Sequence, residues 1–145
     1  MSGLSYPASR YEAPPLVDLA SRAERERLTP AALEAFFNIM SRWQVRDEAA
    51  RQLLGGVTNG PYYDMKRAPA GRTLNADRLL RISFLVGIFE ALHSLHGESL
   101  ADEWVRLPNQ NRLFRGATPL AYMLRGGVPA LQLVRRLLDA RRAGA

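Results

Sequence analysis

The chain has 145 residues, 47% of them apolar, a formal net charge of +6 and no cysteine. That length supports one sizeable core, or two small modules sharing an interface, and the lack of cysteine excludes disulfides, thiolate zinc sites and cysteine nucleophiles. No run of about 18 apolar residues offers a membrane span, the first residues lack the basic-then-apolar order of a secretory signal, and a cytoplasmic protein is the expectation.

Residues 1–28 read as a flexible arm, because the first fifteen hold three prolines and show no apolar period. Within it, "LVDLASRAERERL" has the pattern of a short helix with a solvated, charged face. The first strong helical signal starts at Thr29, a capping residue, with Pro30 suited to the first helical position. Leu33, Phe36, Phe37, Met40 and Trp43 then follow helical spacing and mark a core stripe.

In "RDEAARQLLGGVTNGPYYDMKR", Asp47 and Glu48 suit the positive start of a helix and Gly55 its left-handed end. Thr58 or Asn59 caps a second short helix carrying Tyr62, Tyr63, Lys66 and Arg67. Helix, glycine turn and polar helix together make a helix-turn-helix pattern, with Ala50 preceding Gly55 by five positions where four is common. "NADRLLRISFLVGIFEALHSLHG" predicts a long buried helix, capped by Asn75 and stopped at Gly97. Leu79, Ile82, Val86 and Phe89 line one face, widened by Leu85, Ile88, Leu92 and Leu95. One or two turns follow before Pro108. Thr118-Pro119 starts another helix, Gly126-Gly127 ends it, and Pro129 opens the last, with Leu131, Val134 and Leu138 on one face. No strand pattern competes. The predicted fold is all-α: an arm over 1–28, a helix-turn-helix bundle over 29–97 and a small helical domain over 98–145.

Catalysis finds little support. Glu90, His93 and His96 form half of a carboxylate-bridged di-iron pattern, but no second unit exists. Asp102 and Glu103 are adjacent, so on a helix they point about 100° apart and are expected to stabilise the start of their own helix. "LRGGVPAL" lies between helices without the lysine and hydroxyl of a phosphate loop. No enzyme activity, metal or cofactor is expected.

Charge points instead to partners. From Leu100 onward eight arginines face three carboxylates, which leaves +5 of the net charge there. All basic residues but Lys66 are arginine, the side chain suited to forked bonds with carboxylate or phosphate. For DNA, the second helix of the helix-turn-helix offers Thr58, Asn59, Tyr62, Lys66 and Arg67 to phosphates or base edges. The electrostatic footprint is thin, since Arg46 to Arg81 carries seven positive residues against four acids.

The segments "LNADRLLRISFLVGIFEALHSLHG" and "ADEWVRLPNQNRLFRGATPLAYMLRGGVPALQLVRRLLDARRAG" resemble antitoxins of the Xre/MbcA/ParS type. The resemblance runs from about Ala49 through Ala143 and rests on Leu80 to Ser83, Trp104 to Asn109, Leu113-Phe114, Pro119-Leu120, Tyr122-Met123, Gly126-Gly127 and Val134-Arg135. It implies an Xre-like DNA-binding half and a C-terminal toxin-binding domain. It further implies a cognate RES-domain toxin that consumes NAD, inhibition by blocking that toxin's active site, and repression of the operon through operator DNA as a homodimer or toxin-bound assembly. On this reading Arg112, Arg115 and Arg125 bind at the rim of the interface. Trp104, Phe114, Leu120, Tyr122 and Met123 serve either as buried anchors for the toxin or as filling for the chain's own core. Arg141 and Arg142 reach from the chain end toward the partner or form a solvated tail. The alternative function is a helix-turn-helix transcription regulator whose C-terminal half serves dimerisation only.

Overall fold

The computed structural model describes residues 17–144, and among them it holds six α-helices and no strand. These are α1 (Arg22–Arg42), α2 (Asp47–Leu53), α3 (Asn59–Arg67), α4 (Ala76–Leu95), α5 (Glu98–Glu103) and α6 (Pro119–Arg142), with one 3-10 turn at Trp104–Arg106. The all-α expectation is met. Of the arm expected over 1–28, residues 1–16 lie outside the described residues, and from Arg22 the chain is already helical.

The helix predicted from Thr29 therefore starts two turns earlier. Ser21 is its cap, with the hydroxyl accepting from the Glu24 amide at 3.3 Å. Thr29 is wholly buried inside the helix, where its hydroxyl donates to the Arg25 carbonyl at 2.6 Å and accepts from the Leu74 amide at 3.0 Å. A proline at an interior position costs a helix about 3 kcal/mol. Here α1 is carried through Pro30 by a buried stripe of Leu33, Phe36, Ile39 and Met40 and by the tie from Thr29 to the segment before α4.

Helix α4 is the central element, packed between α1 and α6. Its Leu85, Ile88, Ala91 and Leu92 are fully buried, together with Leu33 and Phe36 of α1, Trp43 at its end, and Val134 and Leu138 of α6. One buried cluster runs from Leu33 to Leu138, so residues on both sides of position 97 share it. Asn75 caps α4 by accepting from the Arg78 amide at 2.8 Å, and Thr118 caps α6 by accepting from the Ala121 amide at 3.1 Å. Both caps match their sequence signals.

Two glycine breaks shape the ends of this frame. At the end of α2, Gly55 donates to the Gln52 carbonyl at 2.9 Å and Gly56 to the Arg51 carbonyl at 2.9 Å, both with positive φ. This is the double hydrogen bond that closes a helix through a left-handed residue. At Gly127 (φ 63, ψ −147) α6 is broken into two helical parts, as Gly126-Gly127 and Pro129 predict. Asp102 departs from expectation. It lies at the end of α5, not its start, and takes Arg42 Nε at 2.9 Å and His93 Nε2 at 2.9 Å. It thus joins α1, α4 and α5. No described helix is long and apolar enough to cross a membrane.

Candidate functional site

The segment between the 3-10 turn and α6 builds itself from local hydrogen bonds. Asn109 Oδ1 accepts from the Asn111 amide at 2.9 Å, and Asn111 Oδ1 accepts from the Leu113 amide at 2.9 Å. These are consecutive turns in which a short side chain imitates a backbone carbonyl. The two ends of the loop are closed by Asn109 N to Ala117 O at 3.1 Å and Gly116 N to Asn109 O at 2.8 Å. The Phe114 and Arg115 amides both donate to the Asn111 carbonyl, at 2.9 and 3.0 Å.

Phe114 plugs this loop into the core. Its ring meets Trp104 edge-on at 5.8 Å and Tyr122 edge-on at 5.4 Å, a geometry favoured by the aromatic quadrupole. With Phe114 turned inward, Arg112 and Arg115 are left exposed on the outer side. Arg115 has φ 52, in the left-handed region that a non-glycine residue enters at a cost of about 1–3 kcal/mol. The hydrogen bonds to Asn111 hold it there. Arg125 is exposed near the end of the first part of α6. None of Arg112, Arg115 and Arg125 forms an ion pair among the described residues, whereas Arg42, Arg67 and Arg81 all do. The arrangement is a rigid loop presenting uncompensated guanidinium groups, which suits carboxylate-bearing partners.

The structure divides the predicted anchors. Trp104, Phe114 and Met123 are 6%, 3% and 1% exposed. They fill the chain's own core, the second of the two roles expected for them. Leu120 and Tyr122 are half-buried and pack against the same core while keeping some open surface. Arg142 is exposed and lies 3.9 Å from Asp139, and Arg141 is half-buried near the end of α6. Sequence reasoning passed over Leu107, which is 42% exposed at the start of the loop. Its signal was modest: an apolar residue beside Pro108 with no helical partner.

The helix pair α2–α3 forms the second candidate surface. Thr58, Asn59, Lys66 and Arg67 are exposed on or beside α3. Thr58 occupies the capping position but makes no side-chain cap bond. Tyr62 is only 1% exposed and packs into the interior. Its hydroxyl donates to Asp47 Oδ1 at 2.8 Å, with Tyr63 donating to Oδ2 at 3.0 Å and Lys66 Nζ to Oδ1 at 2.9 Å. The Lys66 ammonium and then the Tyr62 hydroxyl hold the Asp47 carboxyl below its ordinary value, while burial and then Asp47 push the Tyr62 phenol up. Arg67 pairs with Asp64. Lys66 and Arg67 thus each carry a local countercharge. Gln52 links this unit to the other one, its amide donating to the Leu124 carbonyl at 3.0 Å just ahead of the break in α6.

Comparison with known proteins adds three findings. Residues 91–144 match the antitoxin Xre/MbcA/ParS C-terminal toxin-binding domain, a span that opens inside α4 and holds the whole loop. The chain is 41% identical over 116 residues to the uncharacterized protein y4oB of Sinorhizobium fredii (strain NBRC 101917 / NGR234), covering 79% of this chain and 87% of that protein. No solved structure matches the chain.

Proposed function

Because the chain belongs to the Xre/MbcA/ParS antitoxin family, we propose that its toxin-binding domain neutralises a RES-type, NAD-consuming toxin by covering the active site. The observation that supports this most is the loop of residues 107–118. It locks Phe114 inward and leaves Arg112 and Arg115 outward with no carboxylate of their own. Charged groups that have no competing internal partner and are held by a structured loop bind at a lower ordering cost than mobile ones. Inhibition on this reading is steric and electrostatic, with the antitoxin itself performing no chemistry. Co-expression of this chain with the RES-type toxin of its own operon tests it. Cellular NAD is expected to stay at the level of toxin-free cells and the two chains to co-purify; unabated NAD loss in cells holding both proteins would overturn the reading.

Operator binding is the second part of the proposed function, and the α2–α3 pair supports it. Thr58 and Asn59 sit at the exposed, positive end of α3, where a recognition helix meets base edges or phosphates. Paired subunits would present two such helices to a two-fold site. Because Asp47 and Asp64 already engage Lys66 and Arg67, those two residues are expected to make a modest contribution. Replacing both with alanine should weaken binding to the promoter fragment of the operon about 10-fold and lower the slope of log K against log salt by about 1–2. An unchanged slope in fluorescence anisotropy would move the DNA surface off α3.

A further inference from the structure

Five side-chain nitrogens among the described residues are covered by the fold and have no hydrogen-bond partner in it. They belong to Trp43, His96, Arg25, Arg51 and Arg106. A covered donor without an acceptor is costly, and more so on a charged group. Trp43 and His96 carry no permanent charge. Arg25 spends its Nη1 on the Leu74 carbonyl at 3.5 Å. Arg51 stands one helical turn from Asp47, and its charge acts on both phenols bonded to that carboxylate, Tyr62 and Tyr63. Arg106 has none of these offsets.

The chain around Arg106 holds it in that state. It ends the 3-10 turn, directly after the buried Trp104 and Val105. The Leu107 amide donates to the Trp104 carbonyl at 3.3 Å, and Leu107 then runs extended (φ −97, ψ 140) into Pro108, as a residue before proline prefers. The Arg106 side chain is half-buried. No carboxylate among the described residues lies within ion-pair distance of it; even Glu103, three positions back and exposed, does not pair. Of its three guanidinium nitrogens only Nε is covered in this way. The Nη1 and Nη2 end of the fork is the part left for a partner.

We propose that Arg106 binds a carboxylate of the toxin end-on, through Nη1 and Nη2, at the base of the loop that carries Arg112 and Arg115. The inference rests on the antitoxin reading and names a contact for that same domain, since Arg106 falls within the matched residues 91–144. The loss of hydration that normally offsets a buried ion pair has here been met in part when the free chain folds. A docking carboxylate therefore gains its attraction to Arg106 at a smaller further cost than at a fully hydrated arginine. The fixed backbone lowers the ordering cost as well. Leu107, 42% exposed and next in the chain, supplies apolar surface that excludes water from the pair. Arg106, Arg112 and Arg115 all lack a carboxylate of their own, so the surface calls for a partner of one sign, and that sign is negative.

The test separates stability from binding. Arg106→Met keeps a stem of similar length and removes the charge with its donors. In the free chain its urea midpoint is expected at or above the wild-type value, because the uncompensated donor is gone. Titration calorimetry against the RES-type toxin of the operon should show binding at least ~100-fold weaker. Arg106→Lys keeps a point charge without the fork and should lose about 10-fold. A midpoint for Arg106→Met clearly below wild type would assign the residue to the chain's own fold and overturn the proposal. So would a folded Arg106→Met variant with wild-type affinity. Arg106→Lys as weak as Arg106→Met would mean a neutral acceptor, and the carboxylate pairing would fall. Each of these results leaves the antitoxin reading standing, whereas a wild-type chain that does not bind the toxin would overturn both.

Discussion

Reversing Arg112 and Arg115 together (R112E/R115E) is expected to free the toxin while leaving the antitoxin folded. Both side chains are exposed and neither has an ion pair among the described residues to lose, so the thermal midpoint should move by less than about 4 °C. At the interface, each reversal turns an attraction to a toxin carboxylate into repulsion. Removing one member of a desolvated charge pair costs about 2–5 kcal/mol, and two reversals should weaken the complex by at least about 10³-fold. Titration calorimetry reads the affinity directly, and growth on toxin induction reads it in cells. Arg22→Glu, on the distant first turn of α1, serves as the comparison and should leave binding unchanged. Full neutralisation by R112E/R115E would remove the loop from the toxin interface.

Phe114→Ala is expected to produce the largest loss of stability at the candidate site. The ring is 3% exposed and wedged between Trp104 and Tyr122. Truncating a buried aromatic residue to alanine costs about 3–5 kcal/mol, a large share of the 5–15 kcal/mol that holds a typical domain together. The effect should reach function through geometry. Once the plug is lost, only the half-buried Leu113 holds the loop tip to the core, and the backbone bonds to Asn111 that keep Arg115 in its left-handed conformation are expected to loosen. Urea unfolding should show the lost stability, and toxin affinity should fall even under conditions where the variant remains folded. Phe114→Leu fills most of the space and should retain the greater part of both. A loss under about 1 kcal/mol for Phe114→Ala would mean that the loop is held by its backbone hydrogen bonds alone.

The parts of the fold that were legible share a short range. Asn75 and Thr118 bond to amides three residues on, Gly55 closes a helix through carbonyls three and five residues from the two glycine amides, and Gly127 breaks α6 within its own turn. Each is a local event, and its residues stand next to one another in the chain. The start of α1 was misplaced because Thr29 has the same side chain whether it caps a helix or ties its interior to a distant loop. Only the presence of Leu74 beside it, forty-five positions away, decides the matter.

The candidate site divides in the same manner. The C-terminal excess of arginine, the loop between Pro108 and Thr118, and the family resemblance all follow from the residues in order. Which of the apolar residues there would face a partner does not. Helical periodicity groups Trp104, Phe114, Leu120, Tyr122 and Met123 into faces, but it carries no information about which face meets the rest of the chain. The packing around the loop buries Trp104, Phe114 and Met123 and leaves Arg112 and Arg115 outside. Tyr62 is the parallel case on α3, drawn inward by Asp47 from fifteen positions back.

By itself, then, the amino-acid order determines the helical class, the caps of α4 and α6, the breaks at Gly55 and Gly127 and the basic excess toward the C-terminal end, because those depend on composition or on neighbours within a turn or two. The tertiary structure alone decides which polar groups are already neutralised and which are left for a partner. Lys66, met by Asp47 from α2, belongs to the first group and Arg112 and Arg115 to the second. The physical reason is that countercharges come from wherever the helices happen to pack, and a net charge counted along the chain is blind to that pairing.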